Sequence, residues 1–122
     1  MTGWGQEGPM SKVAGHYINY ISLSGALNSM GRSSGNPQAP LNLVGDYGGG
    51  GAQLAIGILS ALIGSMKTGK GQVVDAAMID GSLSLMSFFY SLKEMGHGQD
   101  NRESNLLDGG AHFYDTYKCS DK

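Results

Sequence analysis

Apolar side chains recur at helical spacing in three segments of the chain, and glycines mark where these segments stop. The first predicted helix covers about residues 15–30 and ends at Gly31. The second covers about residues 46–67 and carries apolar side chains on nearly every side, which predicts a buried helix. The third covers about residues 80–95 and ends at Gly96.

Extended segments are predicted in two places. Residues 72–75 form a short extended run between the second and third helices, and the β-prone side chains of residues 113–119 predict a strand. Turn-forming residues follow that strand, and the sequence then offers no partner strand. We therefore expect this chain to be a fragment of a longer protein, interrupted inside a hairpin.

The composition fits about one globular domain with a large share of apolar surface. Of its 122 residues, 40% are hydrophobic and 15% are charged. A domain of this size leaves much of its surface exposed. The balance therefore predicts either a missing portion of the protein or an oligomer.

Charge, cysteine content and hydropathy exclude several functional classes. The net charge is -2 and no basic run is present, so nucleic-acid binding has no electrostatic basis. The single cysteine, Cys119, excludes an internal disulfide and suits a reducing compartment. We expect no signal peptide at the N-terminus and no membrane span, because the longest apolar run, residues 54–66, is too short.

Two glycine-containing motifs resemble phosphate-binding loops, and neither fits fully. Residues 64–71 follow a helix and have Gly71 where a P-loop needs Ser or Thr, so a helix C-terminus explains them better. Residues 48–51 are four glycines. They either present backbone N–H groups to an anion at a helix N-terminus or allow close packing of that helix. His97 and His112 lack metal-ligand spacing, and we expect no metal site.

His16 and Asp46 are the strongest candidates for chemistry. Each follows a glycine and precedes a predicted helix, and Asp46 is a candidate N-cap of the second one. The positive end of a helix dipole disfavours imidazolium and favours an anion, which suits a neutral histidine base and a developing negative charge. Together they provide two groups able to take a proton from one face of a carbon and return one to the other.

At these residues the sequence resembles the α-methylacyl-CoA racemases of the family III CoA-transferase superfamily. The Gly15-His16 and Gly45-Asp46 pairs belong to this match, which covers almost the whole chain. The matching strings occupy residues 2–6, 8–9, 14–16, 18–20, 40–43, 45–46, 69–78, 107–110 and 113–117.

The resemblance implies an α/β fold, of which this chain is a fragment, within an interlocked homodimer. Residues 1–76 would be the later part of a large nucleotide-binding-like domain. Residues 77–108 would be a linker helix and loop, and residues 109–122 the first strand of a small domain. The segment that binds the CoA nucleotide would precede Met1, and a glutamate partnering the histidine would lie beyond Lys122.

The activity implied is a 1,1-proton transfer at C2 of a 2-methylacyl-CoA, with His16 and Asp46 as the two catalytic groups. CoA is part of this substrate, and no separate cofactor is implied. The enolate oxygen would accept from helix-start N–H groups near His16 or from the glycine run. The resemblance also places six residues in the acyl-CoA site: Gly15, His16, Tyr17, Ile18, Asn19 and Tyr20.

Two departures from the family pattern accompany this match. Tyr17 stands where the family usually has aspartate, which would alter the polar network around the thioester. His112 stands where it usually has proline, for which we expect only a local backbone effect.

Two other functions stay open. A CoA-transferase of the same superfamily would use Asp46 as a nucleophile, although such enzymes generally lack the Gly-His pair that favours the racemase. The second alternative is a non-catalytic remnant whose role is to form a protein interface. We expect an intracellular location, cytoplasmic in a bacterium and peroxisomal or mitochondrial in a eukaryote.

Overall fold

The computed structural model describes residues 1–121, and these are mostly helical. A short helix near the N-terminus is followed by a 3-10 turn, a π-helix with five-residue hydrogen-bond spacing, and two longer α-helices. The elements are α1 (Tyr17–Leu23), the 3-10 turn (Leu27–Ser29), the π-helix (Leu43–Ala52), α2 (Gln53–Thr68) and α3 (Met78–Glu94).

Helix α1 is shorter than the periodicity predicts. It ends at Leu23, because Gly25 adopts a left-handed backbone conformation with φ of 76°. The Tyr90 hydroxyl donates to the Ser24 carbonyl at this point, and a Cβ at position 25 would lie 2.7 Å from the Tyr90 oxygen. The apolar residues beyond Gly25 therefore reach the core through a separate turn.

The second predicted helix starts earlier than expected, so the prediction that Asp46 caps its N-terminus is wrong. The N-cap is Asn42, and Asp46 lies inside the first turn of the π-helix. The π-helix continues into α2 without a break, and α2 ends at Gly69, whose φ of 71° closes the helix as predicted.

The prediction that this helix is buried is also wrong. No residue of α2 is buried, and side chains such as Leu59 and Met66 are 60% and 79% exposed. Apolar residues all around a helix need neighbours on all sides, and residues 1–121 do not supply them. The continuous helix, Leu43–Thr68, has 26 residues and is long and apolar enough to cross a membrane. A helix packed against protein meets the same two criteria, so this is weak evidence for a span.

The core lies where α1, the π-helix and α3 meet. Ile21 and Ala26 are fully buried, and Met86 of α3 packs with them. Burying such side chains contributes roughly 1.5–3 kcal/mol each. This small core therefore fixes the starts of α1 and of the π-helix relative to α3.

Extended pairing is limited to one parallel bridge between Thr2 and Ala77 in residues 1–121. The Thr2 N–H donates to Ala76 O at 3.0 Å, and the Met78 N–H donates to Thr2 O at 2.9 Å. The predicted strand over residues 113–119 is not formed, because no neighbouring strand accepts its backbone hydrogen bonds. The division at residues 76 and 108 stays a prediction, and Lys122 lies outside the described residues.

Candidate active site

His16 is held at the N-terminus of α1 by backbone hydrogen bonds. It is the N-cap residue, with an extended backbone at φ of -120° and ψ of 163°. Its N–H donates to Asn19 Oδ1 at 2.8 Å, and the Asn19 N–H donates to the His16 carbonyl at 2.9 Å. The His16 side chain is exposed. The imidazole is therefore anchored by its backbone and open to a substrate.

Asp46 lies in the first turn of the π-helix, and its side chain is half-buried. The unpaired N–H groups of a first helical turn give it a partial positive charge. Asp46 therefore lies close to the positive end of the π-helix although it does not cap that helix.

The two candidate segments touch through their neighbouring residues. The Gly45 backbone lies against the Tyr17 ring, so that a Cβ at position 45 would be 2.9 Å from two ring carbons. Tyr17 directly follows His16, and Gly45 directly precedes Asp46. The structure therefore brings together the backbone segments that carry the two proton-transfer candidates.

Tyr20 and Asn19, predicted to line the acyl-CoA site, have structural contacts in this chain. Tyr20 is buried against Trp4, with ring centroids 4.6 Å apart and an interplanar angle of 81°. A Cβ on Gly15 would lie 2.9 Å from the Tyr20 ring. Ile18 is 47% exposed. His16, Ile18 and Asn19 are thus the exposed members of the predicted set.

The glycine run serves helix packing, which resolves the alternative left open by the sequence. Gly49 is buried, and a Cβ there would lie 2.7 Å from the Ser82 nitrogen of α3. A Cβ on Gly81 would collide with the Gly49 carbonyl. The run lies inside the π-helix, where N–H groups pair with carbonyls five residues earlier. It is therefore unsuited to bind the enolate oxygen.

The start of α1 retains free backbone donors. The amides of Tyr17 and Ile18 occupy the first turn, and neither has an acceptor in the described part of the chain. Such donors favour negative charge at a helix N-terminus. They follow directly on His16, which places potential anion donors beside the candidate base.

The motif that resembles a P-loop lies at a helix end. Residues 64–71 contain the C-terminus of α2, as predicted, and the Thr68 hydroxyl donates to the Gly64 carbonyl at 2.8 Å. In residues 1–121 no group of three or more His, Cys, Asp or Glu side chains is placed to hold a metal ion. Cys119 is exposed and unpaired by any disulfide.

Sequence reasoning missed an ionic cluster centred on Arg32. Its guanidinium contacts Glu103 at 2.8 Å and Asp115 at 2.7 Å. Hydrogen bonds from Ser33, and then from Arg32, lower the pKa of Glu103 to about 2, and those from Arg32 lower the pKa of Asp115 to about 2. These partners are 70 or more positions apart, so no local pattern indicates them.

Arg102 extends this cluster by binding backbone carbonyls. It donates to the carbonyls of Asn28, Arg32 and Gly35 at 3.1, 3.1 and 2.6 Å. A cleft of about 580 Å³ lies beside the cluster, and neither it nor a neighbouring cavity of about 230 Å³ is lined by His16 or Asp46. The two candidate catalytic residues therefore lie outside both of these cavities.

Comparison with known proteins identifies the family. The sequence matches CoA-transferase family III over residues 1–122. It is 50% identical to alpha-methylacyl-CoA racemase from Mus musculus and 48% identical to the Homo sapiens protein of that name, each over 121 residues. Both alignments cover 99% of this chain and 32% of the relative, so the chain spans about a third of the length of these curated relatives.

A solved structure shows the same fold. The crystal structure of a CAIB/BAIF family protein from Brucella suis superposes with a TM-score of 0.73 and 26% sequence identity. It covers 87% of this chain, and the match spans 28% of that protein. The family match over all 122 residues and the shared fold lead to one conclusion: the chain belongs to CoA-transferase family III.

Proposed function

We propose that the full-length protein containing this chain interconverts the (2R) and (2S) epimers of a 2-methylacyl-CoA. The observation that carries the proposal is the Tyr17–Gly45 contact, which joins the backbone next to His16 to the backbone next to Asp46. Two proton-transfer groups on adjoining segments suit a reaction that must reach both faces of one carbon. The racemase names of the mouse and human relatives support the same chemistry.

The reaction consists of two proton transfers at C2. For one epimer, neutral His16 removes the α-proton, the C–H electron pair moves into the thioester to give an enolate, and protonated Asp46 delivers a proton to the opposite face. For the other epimer, ionised Asp46 removes the proton and His16 in its imidazolium form returns one. Each turnover leaves the two groups in the protonation states that the reverse reaction requires.

The developing negative charge on the thioester oxygen needs hydrogen-bond donors. The free amides of Tyr17 and Ile18 at the start of α1 are the best candidates on this chain. They replace the glycine run, whose N–H groups are used within the π-helix. A donor of this kind typically contributes about 2.7–4 kcal/mol to the transition state.

The remaining parts of the proposed enzyme lie outside these residues. We propose that CoA enters as part of the substrate with no separate cofactor, and that the active protein is an intracellular homodimer. Its N-terminal portion would hold the CoA nucleotide, and a glutamate after residue 122 would partner His16. The exposed apolar surface of α2 supports further protein packing against this chain.

Deuterium incorporation tests the proposal. The full-length protein is incubated in heavy water with each epimer of a 2-methylacyl-CoA, and C2 is followed by NMR. We expect both epimers to exchange the α-proton and to converge on the same mixture. A well-folded protein that leaves C2 unlabelled would reject the racemase.

CoA transfer is the second function, supported by the family to which the chain belongs. In that reaction the Asp46 carboxylate would attack the thioester carbonyl and release CoA thiolate, leaving an acyl anhydride on the aspartate. The incubation above, repeated with a labelled free acid, distinguishes the two. If the labelled acid becomes attached to CoA while C2 keeps its proton, the protein is a transferase.

A further inference from the structure

Tyr17 connects the two halves of the candidate active site, and we propose that it is a positioning residue that sets the separation of His16 and Asp46. Its place directly after His16 and its contact with Gly45, directly before Asp46, are the observations that point to this role. The inference rests on the proposed function, because it assigns a task within the same site.

The contact leaves no free space between the ring and the π-helix. Gly45 is buried, and a Cβ at this position would lie 2.9 Å from Tyr17 Cδ2 and Cε2 and 3.2 Å from Ile21 Cγ2. The π-helix backbone therefore rests directly on the aromatic ring. A change in the thickness of this contact moves the first turn of the π-helix, which contains Asp46.

The Tyr17 ring cannot move easily, because it also packs against the hydrophobic core. Tyr17 packs against the buried cluster of Ile21, Ala26 and Met86. Close-packed interiors transmit a displacement to their neighbours because they have few voids to absorb it. Pressure at Gly45 would therefore shift the backbone and would not simply rotate the ring.

The Tyr17 side chain is held in place by packing and not by hydrogen bonds. The Tyr17 hydroxyl oxygen is buried and has no hydrogen-bond partner in residues 1–121. The aspartate that the family pattern leads one to expect at this position has no ring and is too short to fill the same space. In this chain the spacing of the two segments therefore depends on the volume of an aromatic ring.

Proton transfer is sensitive to such spacing. A displacement of about 1 Å at reacting groups lowers the rate about 100-fold. The N-terminal portion proposed above would bind the CoA nucleotide, and its contribution to substrate binding would change little. Disturbing the Tyr17–Gly45 contact should consequently lower kcat, expressed per mole of folded protein, while KM stays nearly constant.

A double-mutant cycle in the full-length protein tests this role. Gly45→Ala, Tyr17→Leu and the double variant are compared with wild type for α-proton exchange from each epimer. We expect Gly45→Ala to lower kcat about tenfold to 100-fold with KM within about twofold. In the double variant, leucine makes room for the new methyl group, so kcat should return to that of Tyr17→Leu alone.

Gly35→Ala is the matched control, since it adds the same methyl group at an exposed loop glycine with nothing within 4 Å of the new atom. It should exchange at the wild-type rate. Wild-type kcat in Gly45→Ala, or a loss that Tyr17→Leu does not relieve, would overturn the positioning role. If Gly45→Ala does not fold, the Tyr17→Leu variant is the test. An unchanged kcat in Tyr17→Leu would then overturn the positioning role.

A measurement without substrate separates this inference from the proposed function. The backbone amide resonance of His16 should shift in Gly45→Ala, and that of Asp46 should shift in Tyr17→Leu, because in each case the reporting residue is remote in sequence from the substitution. Absence of exchange in wild type would reject the racemase, whereas these two resonances would still test the positioning role. Resonances that stay fixed in both variants would overturn the positioning role.

Discussion

At the scale of single residues, local sequence features point to the proposed catalytic groups, whereas the contacts around these groups are not visible in the sequence. His16 and Asp46 stand out because each follows a glycine at or near the start of a helix, and both of these features are local. Tyr17 gave no such signal. Its role depends on contact with Gly45, 28 positions away, and on burial of its hydroxyl, and neither can be derived from spacing along the chain.

The buried Tyr17 hydroxyl makes a prediction about stability. A hydroxyl buried without a partner loses its hydrogen bonds to water, which costs about 1–3 kcal/mol. Tyr17→Phe removes this group and keeps the ring that contacts Gly45. We expect the free energy of unfolding in urea to rise by about 1 kcal/mol or more. A fall in that free energy would show that the hydroxyl has a partner.

At the scale of elements, periodicity predicted three helical segments, and tertiary contacts decided where they begin and end. The α1 prediction extended too far because Gly25 turns the backbone against Tyr90. The predicted strand over residues 113–119 failed because β-propensity reflects packing between neighbours. A strand whose partner is absent from the described chain has nothing to pair with.

The crossing of the π-helix and α3 gives the second prediction. Alanine in a helix is favoured over glycine by about 1 kcal/mol, but the Gly81 Cβ would collide with the Gly49 carbonyl. Overpacking against backbone costs about 1–3 kcal/mol, so we expect Gly81→Ala to lower the free energy of unfolding.

Gly64→Ala has the opposite expectation and serves as the comparison. It lies within α2 with open space around the new methyl group, so helix propensity alone acts and the free energy of unfolding should rise by up to about 1 kcal/mol. Thermal or urea unfolding of both variants measures whether the free energy of unfolding falls in Gly81→Ala and rises in Gly64→Ala. Equal effects at the two positions would argue against backbone contact between the helices.

At the scale of the whole molecule, two contacts join parts distant in sequence. The Thr2–Ala77 bridge ties the N-terminus to the start of α3, and the Arg32 cluster ties residues 28–38 to residues 99–117. The composition correctly indicated more apolar surface than this chain covers, as exposed α2 shows. What covers α2 could not be predicted, because the relatives are about three times longer.

The Arg32 cluster predicts how acid affects this connection. The pKa of Glu103 falls from 4.5 to about 2, and that of Asp115 from 3.8 to about 2. Carboxylates with a lowered pKa stabilise the folded state above their unfolded pKa values, and this stabilisation is lost as the pH falls from above 4 towards 2. We expect the protection factors of the amides in residues 99–117, which correct for the intrinsic pH dependence of exchange, to fall over that interval.

Arg32→Gln provides the control for the pH dependence. Without the guanidinium, the carboxyl carbon of Asp115 should titrate closer to 3.8 in an NMR experiment, because hydrogen bonds from Arg32 are the main cause of its shift. Glu103 should move less, since hydrogen bonds from Ser33 contribute most to its lowered pKa. Titration of Asp115 near 3.8 in the wild-type protein would contradict the ion pair.

The two-base role of His16 and Asp46 is tested most directly by exchange in variants of the full-length protein. Each epimer is incubated in heavy water with His16→Ala or with Asp46→Asn, and deuterium at C2 is measured. We expect both variants to lose interconversion, while each still exchanges the proton of the one epimer that its remaining base faces.

Two matched substitutions complete that measurement. His97→Ala removes an exposed histidine, and Asp80→Asn changes the first-turn carboxylate of α3, and both should retain wild-type exchange. Complementary, single-epimer exchange in the two site variants is the result we expect. Loss of exchange from both epimers in Asp46→Asn, with full exchange from both in His16→Ala, would contradict the two-base mechanism.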